Sequence, residues 1–430
     1  MRRTRALANA VAISLVAASA ACATSRTNVI GDKPATGGKD AGPLRDVLLV
    51  GNSVSGTVSV IDGRTFAPLG TVNVIPDLQR RLKEINSPFA FWRGFIYRRI
   101  KKAQLLEVGE PHEGDRFVDD LFLSPDGTKL YVSRSNLGDV AAFDLLAPGK
   151  PMIWRTTVAG RKADHATISA DGSRIVVSAS VVRKAQVIET TSGKVIGSFR
   201  TGLLPHQNDY SHDESRIYNG SLGRLSKPFA ENAEKGAREL TVVDAKTFKP
   251  IRTYRFDAGV RPTIITDEDR TMYVQLSYLN GVAKYDLRRD SPGEQAVLIK
   301  KLSQERTDAS KKMYKNEDMF PHNSAHHGLA MSGDGKLLCD CATVEDRVWI
   351  VSADTLTIQT IADGIGSTPY WATTSADGNH CFVSMSGSDE IAVLDYKTGK
   401  LVTKVKVEDF PQRNRLGRMS EKALAMLTRR

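Results

Sequence analysis

The sequence predicts an all-β fold, a seven-bladed β-propeller with a helical insertion between blades 1 and 2, on three observations. The first is a recurring phrase, Ser-x-Asp-Gly followed by an apolar strand, with clean copies at Ser124-Pro125-Asp126-Gly127, Ser169-Ala170-Asp171-Gly172, Ser332-Gly333-Asp334-Gly335 and Ser375-Ala376-Asp377-Gly378. Worn copies begin at Ser211 and Asp267, so the steps between copies are 45, 42, 56, 65 and 43 residues, the period of a propeller blade. The second is what surrounds each phrase. Asp-Gly supplies a turn that needs positive φ, and β-branched and aromatic strands flank it. The third lies at the two ends. An upstream unit, Val47–Gly51 and Thr57–Asp62, lacks its innermost strand, and Phe410–Gly417 lies where a further blade would begin. That segment is expected to supply the missing strand and close the ring.

Within a blade, the strand after the turn is read in Lys129–Ser133, Arg174–Ser178 and Met272–Leu276. The next is read in Ala141–Asp144, Leu240–Asp244, Val348–Val351 and Ile391–Asp395, and an edge strand such as Val402–Val407 finishes the unit. The propeller is assigned to residues 45–417, and 430 residues at 41% hydrophobic, with 34 glycines marking turns, suffice for one such domain. Residues 418–430 form a C-terminal segment in which Ser420–Leu427 reads as a short capped helix with Leu424 and Leu427 on one side.

These units resemble the YVTN family of β-propellers and are similar in layout to bacterial YncE-like and cytochrome d1-like propellers. The family's Tyr-Val-Thr-Asn strand has relatives here in Tyr131-Val-Ser-Arg134 and Tyr273-Val-Gln-Leu276. The resemblance specifies the fold and is nearly silent on function, because propellers bind, scaffold and catalyse alike. There is no Cys-x-x-Cys-His haem-attachment motif.

Residues 1–22 read as a targeting segment: Arg2, Arg3 and Arg5, then an apolar run from Ala6 to Ala18, then small residues. Ser19-Ala20-Ala21-Cys22 resembles a lipobox, which would lipidate Cys22; the other reading is cleavage after Ala20 with Cys22 incidental. Residues 23–44 read as a flexible tether. The expectation is an exported protein, either lipid-anchored at the outer face of the cell membrane or free in the periplasm or medium, and monomeric. Among the remaining cysteines, Cys339 and Cys341 alternate on one strand and Cys381 lies in the next blade, so at most one bridge can form. A packed thiol or an interblade disulfide is favoured over a soft-metal site.

The net charge of +11 falls to +8 once the three leading arginines are removed. Much of the rest is local. From Gln79 to Lys102, inside an insertion assigned to residues 76–116, eight basic residues face one acid, Glu84. Ile85, Phe89, Trp92, Ile96 and Ile100 fall at helical spacing there, and Ser87-Pro88 reads as an N-cap and first-turn pair. Such a helix could lie on an anionic membrane surface, dock on a partner, or pack across a blade edge with its basic face solvated. Nucleic acid is not expected as a partner of an exported chain without interleaved aromatic and basic residues along its strands.

The chemistry emerges when the blades are aligned on the turn. Five residues ahead of the serine stand Asp119, Asp164, His206, His327 and Tyr370; beside them are Asp120, His165, Gln207 and Trp371. His326 sits one step further out, and Arg413 lies in the proposed closing strand. Innermost strands line the channel, so these groups should converge at one mouth. Asp119, Asp164, His206 and His327 are the expected ligands of one divalent metal (Mn, Zn, Ca or Fe), with His206, His327 or His165 available for acid–base work. Arg261, Tyr370, Trp371 and Arg413 are the expected ligand-binding residues, the arginines suiting an anion. The resemblance adds a precedent, since some propeller lyases and lactonases place a metal or a His-centred acid–base group in this mouth. The bland alternative is that Asp and His at strand entries only cap backbone groups. The function expected is a cell-envelope propeller that binds a small ligand or an envelope protein; the alternative is a metal-assisted lyase or hydrolase. Two further polar insertions, Gly223–Arg238 and Ser303–Pro321, are candidates to roof the mouth.

Overall fold

The computed structural model describes residues 42–108, 114–266 and 268–428. The segment read as a targeting signal, Cys22 and most of the stretch read as a tether lie outside them. Blade 1 holds β1 (Leu44–Asn52), β2 (Thr57–Asp62) and β3 (Pro68–Asn73). The insertion follows as α1 (Leu78–Ile85) and α2 (Phe91–Val108). Blade 2 is β4 (Asp120–Leu123), β5 (Lys129–Arg134), β6 (Asp139–Asp144) and β7 (Met152–Thr157). Blade 3 is β8 (Ala163–Ile168), β9 (Arg174–Ala179), β10 (Lys184–Glu189) and β11 (Val195–Arg200). Blade 4 is β12 (Pro205–Tyr210), β13 (Arg216–Ser221), β14 (Glu239–Asp244) and β15 (Pro250–Arg255). Blade 5 is β16 (Val260–Thr266), β17 (Thr271–Leu276), β18 (Gly281–Asp286) and β19 (Val297–Ser303), after which comes α3 (Asp308–Met313). Blade 6 is β20 (Leu329–Met331), β21 (Leu337–Ala342), β22 (Arg347–Ser352) and β23 (Ile358–Ala362). Blade 7 is β24 (Pro369–Thr374), β25 (His380–Met385), β26 (Glu390–Asp395) and β27 (Leu401–Lys406). The chain ends in β28 (Pro411–Ser420) and α4 (Glu421–Thr428).

Every sheet is four-stranded and antiparallel, and β28 completes blade 1 by pairing with β1. The segment after blade 7 therefore closes the ring, joining the last strand to the first.

The repeated phrase is a hydrogen-bonded unit. The Ser124 hydroxyl donates to Asp126 Oδ1 (2.5 Å) and accepts from Lys129 N (2.9 Å), so serine and aspartate together pin both sides of the turn. The same pair of bonds recurs from Ser169, Ser211, Ser332 and Ser375. Gly127 has φ +66, and a Cβ there would lie 2.5 Å from Ser420 N, so neither a side chain nor another conformation fits.

The core lies between blades. Val47 and Leu49 meet Leu121, Leu130 and Val132, while Ile350 and Cys341 meet Ala372 and Val383. Cys339 and Cys381 form a disulfide from blade 6 to blade 7, and burial pushes the remaining Cys341 thiol up. α4 buries Leu424 and packs Leu427 against the first of these clusters.

Each inner strand starts at one face of the ring, the mouth face, and ends at its Ser-x-Asp-Gly turn on the other. By this topology the connections β3 to β4, β13 to β14 and β19 to β20 all emerge on the mouth face. α2 packs against the turn Pro321–Asn323 of the third connection. The second reaches the same segment through Phe229 N to Asp318 Oδ1 (2.6 Å), and its Phe229 ring meets Tyr278 of the β17–β18 turn, centroids 4.7 Å apart. Residues from three insertions thus meet above the channel.

The insertion differs from a single amphipathic helix. α1 ends at Asn86, and Ser87 opens a short 3-10 turn over Pro88–Ala90 without a side-chain cap bond before α2 begins. The apolar spacing therefore does not define one face: Ile85 and Ile100 are buried, while Phe89 and Trp92 are exposed. No helix among the described residues is long and apolar enough to cross a membrane.

Candidate metal centre in the channel mouth

The inner strands deliver their side chains through bulges at their first residues. On β8, Asp164 and His165 together oppose one residue of β9, between the pairs Ala163↔Ala179 and Ala166↔Val177. On β12, His206 and Gln207 do the same between Pro205↔Ser221 and Asn208↔Asn219. Arg261 lies in the corresponding break of β16, Tyr370 in that of β24, and Gln412 beside Arg413 in that of β28. A bulge leaves residues unpaired and re-aims them, which explains how neighbours in sequence both reach the channel. Prolines at the first positions of β12, β24 and β28 suit a strand start that needs no N–H in the ladder.

Three imidazoles converge there. His165 Nε2 lies 2.9 Å from His206 Nε2, which lies 3.3 Å from His327 Nε2. The ligand nitrogens of all three are within 4.8 Å of one another. His206 Nδ1 is 3.1 Å from Asp164 Oδ1, and His327 Nδ1 is 3.1 Å from the Tyr370 carbonyl, whose ring stacks on His327 with centroids 4.2 Å apart. Both Nδ1 atoms face acceptors and so carry the proton, which leaves both Nε2 atoms as bare lone pairs directed at each other. Burial pushes His206 down to about 4 and holds His165 and His327 well below the ordinary imidazole range, so all three are neutral. Neutral rings with bare, facing Nε2 atoms are the form that binds a metal. Metal–nitrogen bonds of about 2.0–2.1 Å at tetrahedral to right angles place the nitrogens about 2.9–3.4 Å apart. The observed separations of 2.9 and 3.3 Å fall in that range.

His165 Nδ1 has two opposed neighbours, Asp119 Oδ1 at 2.8 Å and the Nη2 of Arg413. With Arg413 donating to Nδ1, the ring carries its proton on Nε2 and donates it to His206 Nε2. With Nδ1–H turned to Asp119, Nε2 is bare and the triad is complete.

The carboxylates stand behind the rings, not between them. Burial drives the Asp164 carboxyl up, but Lys162, 3.2 Å away, and the hydrogen bond from His206 outweigh it and hold Asp164 well below the usual range. Burial and the neighbouring Asp164 raise Asp119 to about 7. Asp119, Asp164 and His165 form a second close group that shares His165 with the triad.

Arg413 lies over the Trp371 ring, 3.4 Å from its centroid, and burial pushes its guanidinium down to about 10. Its Nε and Nη1 and the Trp371 Nε1 are buried with no hydrogen-bond partner. Buried polar atoms are normally satisfied, so these donors are the ones a ligand or water would bond. Arg261 instead bonds to Ser277 Oγ (3.1 Å) and the His322 carbonyl of the roof, and its charge presses on His206 and His327.

The aligned positions ahead of the turn serine thus meet in space, with His165 supplying the third imidazole. His326 departs from the cluster: its Nδ1 meets Asp340 Oδ1 and its Nε2 meets Asn280 Oδ1, both at 2.8 Å. Sequence reasoning missed Arg415, which grips Asp120 with Nε–Oδ1 and Nη2–Oδ2 bonds of 2.9 Å each. The available signal was its position two residues after Arg413 on the same strand face. It also missed Asp209, which burial raises to about 6.

No protein-family model matches the chain, and no curated protein matches it. Among solved structures 1634 chains match, so the ring is widely shared and selects no activity by itself. One is the hydrazine synthase of Kuenenia stuttgartiensis, at 15% identity and a TM-score of 0.56 over 86% of this chain and 97% of that one. At that identity the likeness is one of fold.

Proposed function

We propose that this chain is an exported propeller that holds one divalent transition metal on His165, His206 and His327 and binds a small anionic ligand beside it. The observation that carries the reading is the pair His206 and His327, whose Nδ1 atoms both face acceptors and whose bare Nε2 atoms lie 3.3 Å apart. Two lone pairs at that distance repel unless a cation sits between them. Three imidazole nitrogens with carboxylates behind them suit zinc, copper, iron or nickel rather than calcium or magnesium, which prefer oxygen. Asp164 and the Tyr370 carbonyl would orient two of the rings, and Asp119 the third. Arg413, buried beside the triad with two unsatisfied donor atoms, suits a carboxylate or another oxyanion, and Trp371 gives that ligand an apolar wall.

Export is supported by the basic and apolar character of residues 2–18 and by the Cys339–Cys381 disulfide, which persists in oxidising compartments. Resemblance to YVTN propellers is compatible with this placement. A second reading, metal-assisted lyase or hydrolase, is favoured by one observation: Asp119, raised to about 7 against His165, could exchange a proton near neutral pH.

Elemental mass spectrometry of the protein, purified without chelator or affinity metal, tests the reading. Near one equivalent of one transition metal is expected, lost in His206→Ala and in His327→Ala while far-UV circular dichroism is unchanged. A metal-free protein that takes up none of zinc, copper, iron or nickel on dialysis would sink it.

A further inference from the structure

The strongest unassigned surface is at the start of α2. Phe89 (101% exposed), Phe91 (64%), Trp92 (72%) and Phe95 (41%) project there. Trp92 meets Phe91 and Phe95 edge-on, with centroids 5.8 and 5.9 Å apart, and Phe89–Arg93 with Arg161 border a hollow of about 310 Å³. The insertion does not need these rings to stay folded, because its buried side is a separate cluster of Ile85, Tyr97, Phe117 and Leu137. Large apolar rings left in water on a folded protein mark an interaction site.

The charges around them are mostly basic among the described residues. Glu84 is shared by Arg80, Arg81, Arg93 and Arg155, and Lys101 pairs with Asp115. Lys83, Arg98, Arg99 and Lys102 are exposed and have no ion-pair partner among the described residues. A projecting set of aromatic rings next to exposed cations has the chemistry of the membrane interface: rings at headgroup depth and cations among anionic headgroups. Phe89, as exposed as a side chain can be, also demands a receiving medium that deforms around it, which a lipid surface does and a preformed protein groove does only for one shape.

We infer that the Phe89–Phe95 aromatic patch and the basic residues Lys83, Arg98, Arg99 and Lys102 dock this protein on an anionic phospholipid surface. The patch is built on the mouth-face connection that helps to roof the channel, so docking turns the candidate site toward the membrane. The inference does not depend on the metal.

The test is sedimentation of the full chain carrying Cys22→Ala, so that no lipid anchor contributes, with vesicles of phosphatidylcholine alone or with about 30 mol% phosphatidylglycerol. Two variants are compared in that background, Phe91→Ser with Trp92→Ser, and Arg98→Glu with Arg99→Glu and Lys102→Glu. All five positions are exposed, so unchanged melting temperatures are expected. The parent should bind the anionic vesicles and not the neutral ones, and each variant should lose about tenfold or more of that partitioning. Failure of the parent to bind anionic vesicles overturns the inference and leaves a protein partner for the patch. Equal binding to both vesicle types, or variants that bind like the parent, also overturns it, because the leading apolar segment common to all would then be the anchor.

Discussion

Acidifying the metal-free protein should destabilise it, by an amount set in the channel. Unfolded, the imidazoles of His165, His206 and His327 titrate near about 6.5. Folded, burial holds His206 at about 4 and the other two well below their ordinary range. Near pH 5, unfolding therefore takes up about three protons on these rings. Buried carboxyls act in the opposite sense, Asp119 and Asp209 most strongly. Burial and Asp164 raise Asp119 to about 7, and burial raises Asp209 to about 6, so near pH 5 both are protonated when folded and release about two protons on unfolding. The unfolded state thus binds about one proton more than the folded state at pH 5, and almost none more at pH 7. Stability is fully present above about pH 6.5 and falls below it, by about 2 kcal/mol from pH 7 to pH 5. Urea unfolding of chelator-treated protein at pH 7, 6 and 5 reads this directly. His206→Ala removes one of the three imidazole protons and should flatten the profile between pH 6 and 5. Stability that rises on acidification, or a His206→Ala profile parallel to the parent's, would refute this account of the buried protons.

Two further outcomes concern the ring itself. The Cys339–Cys381 bridge closes a sequence separation of 42 residues, so Cys339→Ala with Cys381→Ala should cost about 4 kcal/mol, seen as a lower urea midpoint that added reductant does not change. A midpoint equal to the parent's would show that the bridge does not form. Asp120 neutralises Arg415 through two 2.9 Å bonds and faces Arg413 at 3.7 Å, so Asp120→Asn removes the carboxylate shared by two buried guanidiniums and should cost about 3–5 kcal/mol. An Asp120→Asn protein that melts like the parent would mean that water or an anion reaches the pair.

The blades were legible because their punctuation is local chemistry. Ser Oγ donates to the Asp carboxylate and accepts from the strand N–H five residues on, so each unit needs the same residues at the same spacing whatever packs around it. Ring closure was legible because the first unit was one strand short. The helical insertion was legible too, but its apolar face was not, for a physical reason. A helical period of apolar residues from Ile85 to Ile100 joins two helices, whereas Asn86–Ala90 leaves the helical path, so Ile85 and Phe89 share no face with α2; within α2, Trp92 at the first turn is exposed while Ile100 is buried.

The candidate site was half legible for a related reason. Alignment on the turn serine found the right rows of residues, but strict alternation along a strand admits only one of two neighbours to the channel. The bulge on β8 admits both Asp164 and His165. Once both enter, hydrogen bonding and not residue type decides which is a ligand. Asp164 is committed to His206 Nδ1 and to Lys162, and its carboxylate is held ionised by them, so it orients a ring instead of presenting itself to a metal. His165 keeps its Nε2 toward His206, with Asp119 and Arg413 competing for its other nitrogen. The roles of ligand and support therefore follow from which atom of each imidazole meets an acceptor, a property set by the bulged backbone. With a metal on the triad, the His165 proton would sit on Nδ1 facing Asp119 and Arg413 would no longer donate to that ring, which would link occupancy of the metal to the availability of the buried Arg413 beside it.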